Sequence, residues 1–224
     1  MTGPAISARR IGNERHPIVV VDGFHPDPDA LRSHAIAGAF EPARHHYPGV
    51  RADLPPDYFA SVRPALSLVL REVFGVAGST DLIDASFSIV TTPPDRLAVP
   101  QRLPHVDAVE PGRIALVHYL APGGGDGTAF FRHRSTGFES IDRARAAIYY
   151  PQLEAELRRG GSPDGYIAGS TPLFERIDGV EARYNRAVIY RSALLHSGAI
   201  AADALLSDDP AMGRLTVTAF LLAA

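Results

Sequence analysis

The 224-residue chain contains no cysteine. That excludes a disulfide scaffold and any thiolate metal site, and it fits a reducing compartment. No stretch approaches ~18 uninterrupted apolar residues, so a membrane-spanning helix is not expected. The opening MTGPAISARR lacks the apolar core of a secretory signal. Charge of one sign is scarce as well: the net charge is −3 and no basic run occurs, which argues against a nucleic-acid surface. No internal repeat, low-complexity tract or linker is visible. A soluble, cytoplasmic protein with neither a nucleic-acid nor a membrane partner is therefore expected.

What the chain does have is an apolar fraction of 46% with 21% charged residues, enough to bury a core within one domain. Its 20 glycines and 19 prolines favour many turns between short elements over a helical bundle. Residues 1–16 read as a flexible tail, and 17–224 as a single domain. Ile18 to Val21 is an apolar strand. Asp27 before Pro28 is a good helix N-cap, so the triplet His25-Pro26-Asp27 reads as the start of a helix. His45 and His46 are adjacent and point to opposite faces of any strand, which suits substrate contact or plain surface better than a shared metal. A helix is expected over 55–74 and a strand over 83–92. Short strands follow at 101–107, 113–120, 127–133, 172–178, 186–191, 194–200 and 214–222, interrupted by a helix over 141–159. The expected fold is mainly β with flanking helices, a sandwich, barrel or jelly roll whose core strands span about 83–222.

The residues that carry chemistry are few. His105 and Asp107 lie two apart, so in an extended segment they point the same way and can reach one metal. With nine histidines and sixteen aspartates, chance alone supplies about 0.6 such triplets, so the pair needs support from elsewhere. His196 ends an apolar run at a strand mouth, where a lone histidine is either a ligand or structural. Arg214 opens the last strand on a face shared with Thr216, Thr218 and Phe220. Its planar fork suits a carboxylate, and the plain alternative is an arginine at a strand end in solvent. Arg132, His133 and Arg134 read either as solvated charges at a strand end or as contacts for an anionic part of a substrate. His118 points away from its neighbour Tyr119 and reads as structural. Tyr149, Tyr150 and Tyr166 either roof a pocket or pack.

The order His105-Val106-Asp107, His196, Arg214 resembles the iron(II)/2-oxoglutarate-dependent dioxygenases, in particular their prolyl-4-hydroxylase-like branch. His118-Tyr119-Leu120, Gly124 to Phe130 and Arg214 to Phe220 look like three further segments of that branch. LPHVD, GTAFFRHRSTGFE, NRAVIYRSALLHSG and GRLTVTAFL together resemble an uncharacterised bacterial group, the DUF6445 family. The likeness runs from about residue 17 to the C-terminus and is strongest from 101 onward.

The resemblance implies a double-stranded β-helix of the jelly-roll or cupin-like class. It also implies an iron(II) centre held by His105, Asp107 and His196 as the catalytic triad, with three coordination positions open. The cosubstrate 2-oxoglutarate and O₂ would fill those positions. Arg214, with a hydroxyl from Tyr119 or Thr216, would bind the remote carboxylate. Related halogenases have Gly or Ala in place of Asp107, so hydroxylation of an unactivated C–H bond is the expected reaction. The substrate would be an amino-acid-like or peptidyl small molecule. A non-catalytic β-helix domain with a vestigial metal site is the alternative.

Overall fold

The structure is a computed structural model that describes residues 3–43 and 47–223. Its first departure from expectation is at the N-terminus. Instead of a flexible tail over 1–16, Ala5–Ile11 form a strand, β1, paired antiparallel with β2 (His16–Asp22). Six of its seven residues are exposed, so no apolar alternation announces it, and backbone pairing holds it as an edge strand. The turn between the two strands needs Gly12, at φ +63°, because a Cβ there would fall 2.0 Å from Glu139 Oε2. That carboxylate instead accepts the backbone N–H groups of Asn13 and Glu14 at 2.8 and 2.9 Å.

Helix α1 (Pro28–Ala37) starts as its sequence suggests: Asp27 Oδ1 accepts the Ala30 N–H at 3.0 Å, with Pro28 in the first turn. The chain continues through β3 (Glu41–Pro42), β4 (Gly49–Ala52), α2 (Tyr58–Glu72) and β5 (Thr80–Val90). Two short 3-10 turns, Pro94–Arg96 and Val99–Arg102, lead to β6 (Arg113–Tyr119), β7 (Gly125–His133) and α3 (Arg143–Gly160). The chain then finishes with β8 (Phe174–Ala182), β9 (Arg186–Arg191), β10 (His196–Gly198) and β11 (Leu215–Ala223). The strand expected over 101–107 does not form. After the second 3-10 turn the segment makes a single bridge, His105 to His196. Pro100 and Pro104 have no N–H to give a longer ladder.

The strands build two antiparallel sheets, one in the order β1-β2-β9-β6-β11-β5-β4-β3 and the other β10-β7-β8. The His105 bridge adds a fourth position beside β10. From β5 onward the chain alternates between sheets: β5 in the large, His105 at the small, β6 large, β7 and β8 small, β9 large, β10 small, β11 large. That winding is a double-stranded β-helix, mainly β with flanking helices, as expected.

Between the sheets Ile18, Ala115, Tyr119, Phe130, Val188 and Tyr190 form one core. Helices α1 and α2 cover the outer face of the large sheet, where Val62, Leu66 and Val69 meet Phe87, Ile89 and Leu116. Helix α3 covers the small sheet, with Tyr149 and Leu153 against Phe131 and Phe174. Each such side chain, fully buried, contributes about 1.5–3 kcal/mol of transfer free energy. Helices outside and a two-sheet core inside leave one end of the wrap open, and the site lies there. Among the described residues no helix is long and apolar enough to cross a membrane.

Candidate metal centre and its cavity

His105 and His196 are locked together by reciprocal backbone hydrogen bonds, each N–H donating to the other's carbonyl at 2.9 Å. Their rings stand 4.5 Å apart. Asp107 is fixed by its own N–H, which donates to Ser192 O at 2.9 Å. One ligand atom from each of the three residues lies within 4.8 Å of the others, the cluster of this kind found among the described residues. His105 Nε2 is 3.9 Å from Asp107 Oδ1, and His196 Nε2 is 3.5 Å from Asp107 Oδ2.

The electrostatics suit a cation. His196 Nδ1 lies 2.9 Å from Leu194 O, a carbonyl that can only accept, so Nδ1 carries the proton and Nε2 keeps its lone pair. Burial pushes the His196 pKa down to about 4; that of His105 is lowered by desolvation and by the neighbouring His196, although its side chain is 52% exposed. Both rings are therefore neutral, as ligands must be. Burial raises the Asp107 carboxyl to about 6, against the lowering pull of His105, Arg113 and Arg51. Its Oδ2 is buried with no hydrogen-bond partner. A carboxylate oxygen held dry without a donor is costly, and a metal ion between the three side chains removes that cost.

The cluster opens on a cavity of about 390 Å³. Arg214, one residue before β11, also lines it and donates Nη2 to the carbonyls of Asp126 and Gly127 at 3.1 and 2.6 Å. Its Nε is buried without a partner, and no carboxylate among the described residues pairs with it. Thr216 also lines the cavity and donates its hydroxyl to Ser88 O at 3.1 Å. Tyr119 is fully buried behind the wall; its hydroxyl meets Thr128 Oγ1 at 2.7 Å, and Thr128 lines the cavity. Tyr119 thus reaches the space only through Thr128.

Arg132, His133 and Arg134 do not line the cavity, which corrects the expectation that they contact a substrate. Strand β7 passes the His105–Asp107–His196 cluster at Phe130, paired with His196, and these three residues lie beyond that point. Arg132 donates Nε to the fully buried Glu139 at 2.8 Å and Nη1 to Glu175 at 2.9 Å. His133 is itself fully buried, between Thr136 Oγ1 at 3.0 Å and Glu156 Oε2 at 2.8 Å. Arg134 donates to Thr171 O at 3.0 Å.

His118 is fully buried, 3.2 Å from the Tyr58 hydroxyl and 3.0 Å from Asn185 Oδ1. Of the three tyrosines, Tyr166 lines the cavity, with its hydroxyl on Thr92 O at 2.8 Å; Tyr149, on α3, packs against the small sheet, and Tyr150 is exposed. His45 and His46 lie outside the described residues.

Sequence reasoning passed over Tyr47, Arg51 and Tyr190. Tyr47 lines the cavity; burial, against the charges of Arg214 and Arg51, pushes its pKa up to about 12. Arg51 lies over the Tyr47 ring with Cζ 4.8 Å from the centroid. Tyr190 packs edge-on against His196 at 4.8 Å. A Tyr and an Arg four apart in an unremarkable segment give no signal until β4 is paired with β5.

The fold and the cluster together define a double-stranded β-helix protein with two histidines and one carboxylate at its open end. The chain belongs to a family of unknown function, DUF6445, whose family model matches residues 2–221. No curated protein matches it by sequence. Among solved structures it is similar to HygX from Streptomyces hygroscopicus with nickel, 2-oxoglutarate and hygromycin B bound. There the identity is 14%, over 92% of this chain and 83% of that one, with a TM-score of 0.47. A novel N-substituted L-amino acid dioxygenase from Burkholderia ambifaria AMMD is 12% identical over 100% of this chain and 97% of that one, with a TM-score of 0.48. AviO1 from Streptomyces viridochromogenes Tue57 is 14% identical over 98% and 89%, with a TM-score of 0.46.

Proposed function

We propose that the chain is an iron(II)- and 2-oxoglutarate-dependent dioxygenase that hydroxylates an unactivated C–H bond of an amino-acid-like or peptidyl small substrate. The observation that carries this is the pairing, in one cavity, of the His105–Asp107–His196 cluster with an arginine that no carboxylate neutralises. Two neutral imidazoles and one carboxylate whose buried Oδ2 lacks a partner are a donor set that fits iron(II) and leaves positions open.

With iron and 2-oxoglutarate bound, such a centre supplies an O₂-dependent oxidation in which the cosubstrate loses CO₂ to become succinate and one oxygen atom enters the substrate C–H bond. The chain's own residues bind and orient. Leu194 O holds the His196 proton on Nδ1 and so keeps Nε2 available. Arg214 offers its fork, including the unpaired Nε, to the remote cosubstrate carboxylate, with the Thr216 hydroxyl alongside. Tyr119 acts one step back, setting the Thr128 hydroxyl on the wall.

The test is succinate formation from 2-oxoglutarate by purified protein with iron and ascorbate. The His105→Ala variant is expected to lose it. Metal uptake without succinate formation would instead support a non-catalytic binding domain. Failure to bind 2-oxoglutarate at millimolar concentration would overturn the proposal.

A further inference from the structure

The cavity holds more positive charge than the proposed cosubstrate can use. Arg51, Arg102 and Arg214 all line it, and among the described residues Asp107 is the one carboxylate that does. The chain has no lysine, so every permanent side-chain cation is a guanidinium fork. Arg102 is fixed by uncharged partners, donating Nε to Leu97 O at 3.0 Å and Nη1 to Pro163 O at 3.1 Å. Arg51 donates Nη1 to Asp84 Oδ2 at 3.1 Å, but Asp84 is 53% exposed, so water screens that pair.

The rest of Arg51 is built to receive something. Its guanidinium is held over the Tyr47 ring, and its Nε is buried without a hydrogen-bond partner. A donor dried in this way carries an uncompensated cost unless a ligand brings the acceptor. Arg51 lines the same cavity as His105, Asp107 and His196. With a divalent ion and a doubly negative cosubstrate in place, the lining retains an excess of about two positive charges. The remaining wall is largely aliphatic, including Val90, Val106, Ile167 and Ile200.

We infer that the primary substrate is a small molecule joining an aliphatic part to an anionic group, a carboxylate or a phosphate, and that Arg51 receives this group with Arg102 as the second cation. The inference rests on the dioxygenase reading, because that reading commits Arg214 to the cosubstrate. The anion-binding reading of Arg132, His133 and Arg134 thereby passes to Arg51 on β4 and Arg102 in the second 3-10 turn.

The experiment is calorimetric titration of the full chain, loaded with manganese(II) and 2-oxoglutarate, with three probes of one hydrocarbon shape: 4-methylpentanoate, 3-methylbutyl phosphate and neutral 4-methylpentanamide. At least one anion is expected to bind tenfold or more tightly than the amide, and the better of the two identifies the group. Arg51→Gln is expected to reduce that preference at least tenfold, and Arg102→Gln at least threefold, each in protein whose melting temperature confirms folding. The inference is overturned if the amide binds as well as the anions, if no anion binds, or if neither variant changes the preference. It also falls if Arg51→Gln costs 2-oxoglutarate more than tenfold in affinity, since Arg51 would then serve the cosubstrate. Wild-type protein that binds no 2-oxoglutarate defeats the proposed function instead, and the same titrations on metal-free protein still decide the anion site.

Discussion

Asp107 Oδ2 faces His196 Nε2 across 3.5 Å and accepts no hydrogen bond from any described residue. Without a cation this is a buried charge with too few partners, so the site is bought at some expense of stability. Asp107→Asn keeps the shape and removes the charge. In metal-free protein it is expected to raise stability by about 1 kcal/mol, a rise of roughly 2–4 °C in melting temperature. A metal-dependent rise in melting temperature is expected of the wild type and should vanish in the variant. Melting curves with and without manganese(II) check both halves, and a metal-free variant less stable than wild type counts against the account.

Arg214 offers an unpaired, buried Nε while its Nη2 is anchored on Asp126 and Gly127 carbonyls. Arg214→Lys keeps the charge but not the fork, and is expected to weaken 2-oxoglutarate by about 10- to 100-fold. Arg214→Met should cost more, on the order of 2–5 kcal/mol. Calorimetric titration with 2-oxoglutarate reads this directly. Equal affinity in wild type and Arg214→Met would remove Arg214 from the cosubstrate end.

Some of this could be seen in the sequence, for identifiable reasons. Alternation on β11 and the turn-punctuated short strands carry the β architecture, because a sheet with one buried face imposes period two. His105, Asp107 and His196 stand out by residue type. Their convergence, however, depends on a long-range bridge, and the 101–107 segment makes that bridge without forming a strand. β1 was invisible because an edge strand with six exposed residues buries nothing. Tyr47 and Arg51 were missed because β4 gains meaning only through its register with β5, where Arg51 stands opposite Ser88. The position of Arg132 is not legible because alternation says which face a residue takes but not where along β7 the strand passes the His105–Asp107–His196 cluster; Phe130, opposite His196, marks that point.

Arg132 belongs to the scaffold. Its guanidinium pairs with Glu139, which is fully buried and otherwise accepts the N–H groups of the β1–β2 turn. Arg132→Ala leaves that carboxylate without its counter-charge. The expected loss is about 3 kcal/mol in urea unfolding, with less than a twofold change in 2-oxoglutarate affinity. A stable variant with impaired ligand binding would return Arg132 to the site.

Glu14 ties the N-terminal hairpin to α3 and makes the fold sensitive to acid. Arg145 Nη1 donates to both its oxygens, at 2.7 and 2.8 Å, while Ser140 Oγ donates at 2.8 Å and His16 Nε2 lies 2.8 Å away. Burial alone would raise this carboxyl, but these partners together lower it from 4.5 to about 2. A carboxyl lowered on folding contributes stability that is fully present above its unfolded value and is lost as pH falls through the folded one. The contribution is on the order of 3 kcal/mol, and it should fade between about pH 4.5 and pH 2. Glu14→Gln is expected to be less stable than wild type at pH 7 and to show a shallower acid limb, with the two curves converging near pH 2. Denaturant unfolding at a series of pH values measures this, and parallel curves across that window would mean that Glu14 is not the group that titrates.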